Sequence, residues 1–280
     1  MARKSAGPRQ PLSQARPKAA RGTPNAKGGL TRPKGPPTSK VRSSAKPSVI
    51  PVTQARSLQR GKPAKRIPPR QLPAHAQTIF ERLSALYPDA HCELDFRDAW
   101  ELVQATILSA QCTDKRVNMV TPTLFATWPT PAALAAARQE DVEDIIRTTG
   151  FFRNKARNLI AMADAVEARH AGHVPPSMDD LVKLPGVGRK TANVVLGNAW
   201  GINEGVVVDT HVQRLSARLG LTSETDPEKI EQVLMSLYER KQWTLLSHLL
   251  IWHGRRICEA RKPKCGDCVL NDICPSAFRV

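Results

Sequence analysis

Leu184-Pro185-Gly186-Val187-Gly188-Arg189-Lys190-Thr191-Ala192 is a glycine-spaced turn that runs directly into a helical pattern. Glycine permits the tight turn and lets main-chain N–H groups approach an anion such as a phosphate closely. Lys190 then falls in the first turn of the following helix, near the positive end of its dipole. Further on, Val206, Val207 and Val208 lead into Asp209, Thr210 and His211, which open another helical pattern. A carboxylate at that point is by default an N-cap. An acid locked by the N–H groups that follow it is also well oriented for chemistry, so the two roles are compatible. A lysine after such a turn reads, taken alone, as a phosphate contact. To act as a nucleophile its amine would need help to shed a proton.

The segments around this turn are helical too. Phe96, Trp100, Val103, Ile107 and Ala110 recur at three- and four-residue spacing, and Leu134, Ala137, Val142, Ile145 and Ile146 do so less regularly. Ser177, three residues before Asp180, reads as a cap ahead of Leu181. Gly220 is placed to end a helix running from Thr210 to Leu219. No stretch alternates long enough for a sheet, so the body reads as nearly all α. Its length suits one large domain or two small ones, each with its own core.

The charge is divided along the chain. Residues 1–70 hold 18 of the 42 Lys and Arg, 12 of the 23 prolines and no Asp or Glu. Residues 71–280 hold 24 basic against 25 acidic side chains, so the net charge of +17 resides in the N-terminal segment. Such a segment buries too little apolar surface to offset its ordering entropy and is expected to be disordered. As a flexible coil it would reach roughly 40 to 50 Å. Its expected partner is phosphate backbone, bound without sequence preference; a solvated spacer is the plainer reading. A transit peptide is disfavoured because prolines at 8, 11, 17, 24 and 33 would break the amphipathic helix it needs. No apolar run reaches the roughly 18 residues of a membrane span, and no secretory signal is visible.

Cys258, Cys265, Cys268 and Cys274 are separated by six, two and five residues. Four cysteines this close admit disulfides, a zinc site or an iron-sulfur cluster. Disulfides are disfavoured in a chain with no visible secretory signal and a body large enough not to need them. Zinc and iron-sulfur both accept four thiolates, and the unequal spacing leaves both open. Arg261, Lys262 and Lys264 lie between the first two cysteines, a basic loop that metal ligation would hold rigid. Cys92 and Cys112 stand apart and read as small core residues.

The stretch from Leu184 to Ala192 resembles the helix-hairpin-helix DNA-binding motif, which holds a duplex in register through its main chain and reads no bases. Four further matches accompany it: Ser109-Ala110-Gln111-Cys112-Thr113-Asp114, Val208-Asp209-Thr210-His211, His253-Gly254-Arg255 and the four-cysteine spacing. On these motifs, residues 72–280 resemble endonuclease III, an iron-sulfur DNA glycosylase with lyase activity in the helix-hairpin-helix glycosylase superfamily. Residues 1–70 lie outside the resemblance.

The resemblance implies an all-α, two-lobed, monomeric enzyme. A six-helix lobe would span residues 93–203. Residues 71–92 and 204–280 would form a second lobe carrying a 4Fe-4S cluster on Cys258, Cys265, Cys268 and Cys274. Double-stranded DNA with damaged bases or abasic sites would lie across the cleft, held by Gly186, Val187, Gly188, Arg189 and Thr191 on one side and by Arg261, Lys262 and Lys264 on the other. Lys190 would be the nucleophile, Asp209 its acid–base partner and His211 a supporting residue that contacts the DNA. Gln111 would fill the gap left by the extruded nucleotide while Phe151 and Phe152 wedge the opposite strand; core packing is the plain reading of these two. The family commonly has tyrosine where Phe152 stands and often leucine where Phe151 stands, which leaves lesion range and opposite-base preference open. The implied substrates are oxidised pyrimidines. Lys190 and the ending at Val280 favour this enzyme over the adenine glycosylase relative, and both Lys190 and Asp209 disfavour a non-enzymatic DNA-binding protein. The expected setting is the bacterial cytoplasm, or a nucleus or mitochondrion in a eukaryote.

Removing residues 1–70 is expected to weaken DNA binding chiefly at low salt and to flatten the dependence of log K on log salt. Titrations from about 50 to 200 mM salt test this; an unchanged slope would exclude the segment as a phosphate tether.

Overall fold

The structure, a computed structural model, describes residues 67–280. Most of the segment expected to be disordered therefore lies outside the described residues. Its boundary needs one correction, because Pro69–Gln71 already form a 3-10 turn that leads into the first helix.

Eleven α-helices follow among the described residues, with no strand: α1 Leu72–Leu86, α2 Ala99–Ser109, α3 Asp114–Thr127, α4 Pro131–Ala135, α5 Gln139–Ile146, α6 Phe152–His170, α7 Met178–Leu181, α8 Arg189–Trp200, α9 Thr210–Arg218, α10 Pro227–Leu237 and α11 Trp243–Arg256. Short polar side chains start many of them. Asp98, Thr113, Thr130, Asp209 and Asp226 each accept a backbone N–H of the helix they precede, and each such cap contributes about 1 kcal/mol. Ser177 occupies the N-cap position of α7 as expected, but it makes no side-chain cap bond to the backbone. The irregular apolar pattern from Leu134 to Ile146 belongs to two helices, since α4 ends at Ala135 and α5 begins afresh at Gln139. Gly220, in the left-handed region, follows the end of α9.

Two apolar cores result. The first gathers Leu102, Leu108, Leu124, Ile146, Leu159, Met162, Leu181 and Leu196 from α2 to α8. The seven helical segments here exceed the six implied by resemblance, two of them, α4 and α7, being single turns. The second core joins Ile79 and Leu83 of α1 to Leu215, Leu234, Leu246, Leu250 and Leu270. Apart from the 3-10 turn that precedes it, helix α1 packs on α10 and α11, which are remote from it in sequence. Arg82 ties it to the C-terminal segment through Asp272 at 2.6 Å and the Val269 carbonyl at 3.0 Å. No described helix is long and apolar enough to cross a membrane.

Helix α8 is the seam between the cores. On one side it packs against α2 and on the other against α11. A Cβ at Gly197 would lie 2.4 Å from Thr244 Oγ1, so only glycine admits the approach of α11. Glu231 of α10, almost fully buried, accepts from Arg189 at 3.0 Å through both carboxylate oxygens and from Asn193 at 3.0 Å. One turn further along, Asn198 donates to the Val194 carbonyl at 2.8 Å, which leaves its Oδ1 facing His248 Nε2 at 2.8 Å. His248 therefore carries its proton on Nε2.

Burial pulls the pKa of His248 down to about 4; His91 lowers it further and Glu93 opposes. The unfolded chain consequently binds more protons than the folded one between about pH 4 and the ordinary histidine value near 6.5, and stability falls as pH falls through that window. Urea unfolding at pH 7 and 4.5 is expected to show wild type losing about 1–3 kcal/mol more than His248→Gln. Equal losses would show that the ring is not held neutral.

Candidate active site and cysteine cluster

A cleft of about 560 Å³ lies between the two cores and is lined by both Lys190 and Asp209. Lys190 is the second residue of α8 and is exposed, where the first-turn N–H groups have no intrahelical partner. Asp209 is half-buried at the N-cap of α9, its Oδ1 accepting from His211 N and Val212 N, both at 2.8 Å. Oδ2 takes no hydrogen bond from a described residue. The carboxylate is thus fixed through one oxygen and open through the other. His211 lines the same cleft; burial lowers its pKa, and its Nδ1 faces Arg214 Nη2 at 3.1 Å, so the ring is a neutral acceptor.

The cleft holds residues that the sequence did not single out. Thr106, Asn198, His248 and Trp252 line it, and Arg255 of α11 pairs with Glu93 and, at 2.8 Å, with Asp114 at the start of α3. Arg256 pairs with Glu93 at 2.8 Å and lies 3.7 Å from the centre of the Trp252 ring. These pairs tie the two cores together at one end of the cleft. Arg255 and Asp114 were at least inside quoted motifs, but no pattern marks Glu93. Cys92 and Cys112 pack against the first core as expected and also face the cleft.

The hairpin keeps its side chains inward. Val187 is buried, and Arg189 is engaged with Glu231. Gly186 has φ +78°, and a Cβ there would meet the Asn158 Cβ at 2.9 Å. No described residue accepts from the N–H of Gly186 or Gly188. Any contact made by Gly186, Val187 and Gly188 is therefore a main-chain contact, whereas Arg189 keeps an exposed side chain despite its pairing with Glu231, and Thr191 is half-buried.

Gln111 and Phe151 are both non-glycine residues in the left-handed region, at φ 53° and 49°. Phe151 is 64% exposed, whereas Phe152 packs against the first core with the guanidinium groups of Arg147 and Arg153 over its ring. The plain reading therefore holds for Phe152 and fails for Phe151. Gln111 is exposed at the rim of the cleft.

Cys258, Cys265, Cys268 and Cys274 surround one cavity and are not joined by disulfides. Among the described residues no three His, Cys, Asp or Glu side chains converge on a single ion position. Burial pushes the Cys268 thiol up to about 12 and that of Cys274 to about 11. These sulfurs become thiolates only against strong positive charge such as iron. Cys268 Sγ lies 3.3 Å from His253 Nε2, and His253 Nδ1 lies 3.1 Å from the Tyr87 hydroxyl. With Nε2 donating to sulfur, Tyr87 donates to Nδ1. Arg218 donates to Cys258 Sγ at 3.4 Å and to the Glu259 and Ala260 carbonyls, both at 2.8 Å, bracing the basic loop. Within that loop Arg261 and Lys262 are exposed, while Lys264 is drawn back to Glu259 and the Arg256 carbonyl.

Residues 104–240 match the HhH-GPD superfamily of base excision DNA repair proteins, and residues 258–274 match the iron-sulfur binding domain of endonuclease III. The chain is 53% identical over 202 residues to endonuclease III of Synechocystis sp., covering 72% of this chain and 92% of that one. It is 40% identical over 196 residues to the Escherichia coli protein of the same name, covering 70% and 92%. Its structure resembles a trapped covalent intermediate of endonuclease III with DNA, at a TM-score of 0.70 and 41% identity, over 72% of this chain and 95% of that one. A thermostable thymine-DNA glycosylase shares the fold at a TM-score of 0.66 and 20% identity, over 73% and 97%.

Proposed function

The chain belongs to the endonuclease III family, bifunctional DNA glycosylase/lyases of base excision repair that carry a 4Fe-4S cluster, and we propose that it excises oxidised pyrimidines from double-stranded DNA and cuts the strand through a Schiff base on Lys190. The observation that carries this reading is the cleft itself. An amine from one helix start and a carboxylate from another line a single space of about 560 Å³, within the range that small ligands occupy.

A base cannot be attacked inside the stack, so the nucleotide is turned out into the cleft, most cheaply where pairing is already weak. Gly186 and Gly188 hold the backbone through their N–H groups. Gln111 occupies the vacated position and Phe151 presses on the opposite strand. Phe152 supports Phe151 from the core and does not enter the duplex.

Asp209 takes a proton from the Lys190 ammonium. The freed amine attacks C1′ of the sugar, the bond from C1′ to the base breaks, and the base departs with its electrons and takes up the proton that Asp209 had accepted, which restores the carboxylate. Asp209 stabilises the positive charge that develops on the sugar. Ring opening leaves an imine between Lys190 and C1′, which acidifies the C2′ proton. Loss of that proton expels the 3′ phosphate, and water then releases Lys190. The trapped covalent complex of a relative supports a covalent route.

The residues also fit the cluster, with Cys258, Cys265, Cys268 and Cys274 as ligands. When bound, the cluster would hold Arg261 and Lys262 rigidly toward phosphate, while Lys264 closes the loop on itself.

Borohydride reduction in the presence of damaged duplex is expected to trap a protein–DNA adduct with the parent and none with Lys190→Ala. Strand scission surviving in that variant would remove Lys190 from the chemistry. Asp209→Asn is expected to keep duplex binding and to lose base excision by roughly a hundredfold or more. Equal losses of binding and excision would make Asp209 only a cap. A panel of oxidised pyrimidines and purines, measured in one assay, tests the substrate class.

A further inference from the structure

Lys155, the fourth residue of α6, is only 5% exposed, yet it carries an ammonium group. Nζ donates to the carbonyls of Leu108 and Thr149, each at 2.8 Å. Both carbonyls are left over at helix ends. At the end of α2 the chain departs from helical geometry at Ala110 (ψ 115°), and the Cys112 N–H goes to Ser109 at 3.0 Å, so Leu108 has no backbone partner. Thr149 closes the 3-10 turn Arg147–Thr149, and Gly150 (φ 72°, ψ 152°) swings the chain away before a helical bond can form. The backbone N–H of Lys155 meanwhile donates to the Phe151 carbonyl at 3.1 Å.

Each capped end is followed within three residues by a left-handed residue that is not glycine, Gln111 in one case and Phe151 in the other. Such a conformation costs about 1–3 kcal/mol and persists only where its surroundings over-determine it. Phe151 is exposed and Gln111 stands at the rim, so neither is held by its own side chain. What their loops have in common is Lys155.

We infer that Lys155 is a positioning residue that fixes the Gln111 and Phe151 loops relative to each other, so that both side chains probe the duplex as one rigid fork. The inference rests on the insertion roles assigned above to Gln111 and Phe151. Removing the ammonium leaves two buried carbonyls unpaired. The loops would then relax independently, and coordinated insertion would fail while Lys190 and Asp209 stay where they are.

The test uses the full chain with its cluster, and the variant Lys155→Met. Two substrates carry an abasic site, one in duplex with 2-aminopurine opposite and one in a single strand that offers nothing to wedge. For Lys155→Met the rate of borohydride-trappable adduct on duplex is expected to fall by roughly tenfold to a hundredfold. The 2-aminopurine fluorescence change on binding is expected to disappear, and the single-strand rate to be retained. Equal losses on both substrates, or no loss on duplex, would overturn the inference. Should Lys155→Met not fold, Lys155→Gln keeps a donor too short to span both carbonyls and is expected to behave in the same way. Failure of both to fold would assign Lys155 to the core and also overturn it. Gln111→Ala and Phe151→Ala are measured in parallel. If they leave the fluorescence change intact, it is the insertion roles that fall, and this inference with them; if they abolish it and Lys155→Met does not, only the brace is wrong.

Discussion

Helix α11 lies so close to α8 that a single methyl group on Gly197 would collide with Thr244, and the active cleft depends on that approach. Lys190 stands at the start of α8. Asp209 caps α9, which packs on α11. Were α8 and α11 to separate, the amine and the acid would separate with them. Glu231 holds α8 from a third direction through Arg189 and Asn193. A buried carboxylate of this kind is worth little as net stability, because desolvation offsets much of its attraction. Its stronger contribution is to admit one angle of approach and penalise others that leave it unpaired.

Rigidity of this kind contrasts with the local strain on the other side of the cleft. Asp209 achieves its orientation cheaply, since the two N–H groups it accepts from would otherwise be orphans of the helix start. Gln111 and Phe151 sit in backbone conformations that their side chains do not favour. Asp209, proposed for the chemistry, is thus held by ordinary helix physics, and Gln111 and Phe151, proposed to meet the duplex, are held under tension.

Much of this was legible from local chemistry. Asp209 as a cap, Gly220 as a helix end and the all-helical body follow from rules that act over one or two turns. The four cysteines and the glycine-spaced turn stood out because their spacing is itself the signal. Glu231, Glu93 and Lys155 did not, because each matters through a partner 42, 162 or 47 residues away. An isolated charged residue on a helical pattern reads as solvated surface, and only the fold reveals that it is buried or bridging. Phe151 and Phe152 mark the same limit. They are adjacent and chemically identical, and a left-handed turn at the first is what sends one outward and the other into the core.

Helix α1 has no apolar partner near it in sequence; Ile79 and Leu83 meet Leu246, Leu250 and Leu270, and Arg82 closes on Asp272. A ribosome delivers the chain from its N-terminus, so α1 emerges with its greasy face uncovered and waits until α11 and Leu270 have followed it. The α2–α8 core has no such wait, since all its members arrive in one run. Cys258, Cys268 and Cys274 pack against the core that holds α1, so the cysteine segment and α1 are completed together, and loss of the segment around Leu270 would leave α1 exposing apolar surface.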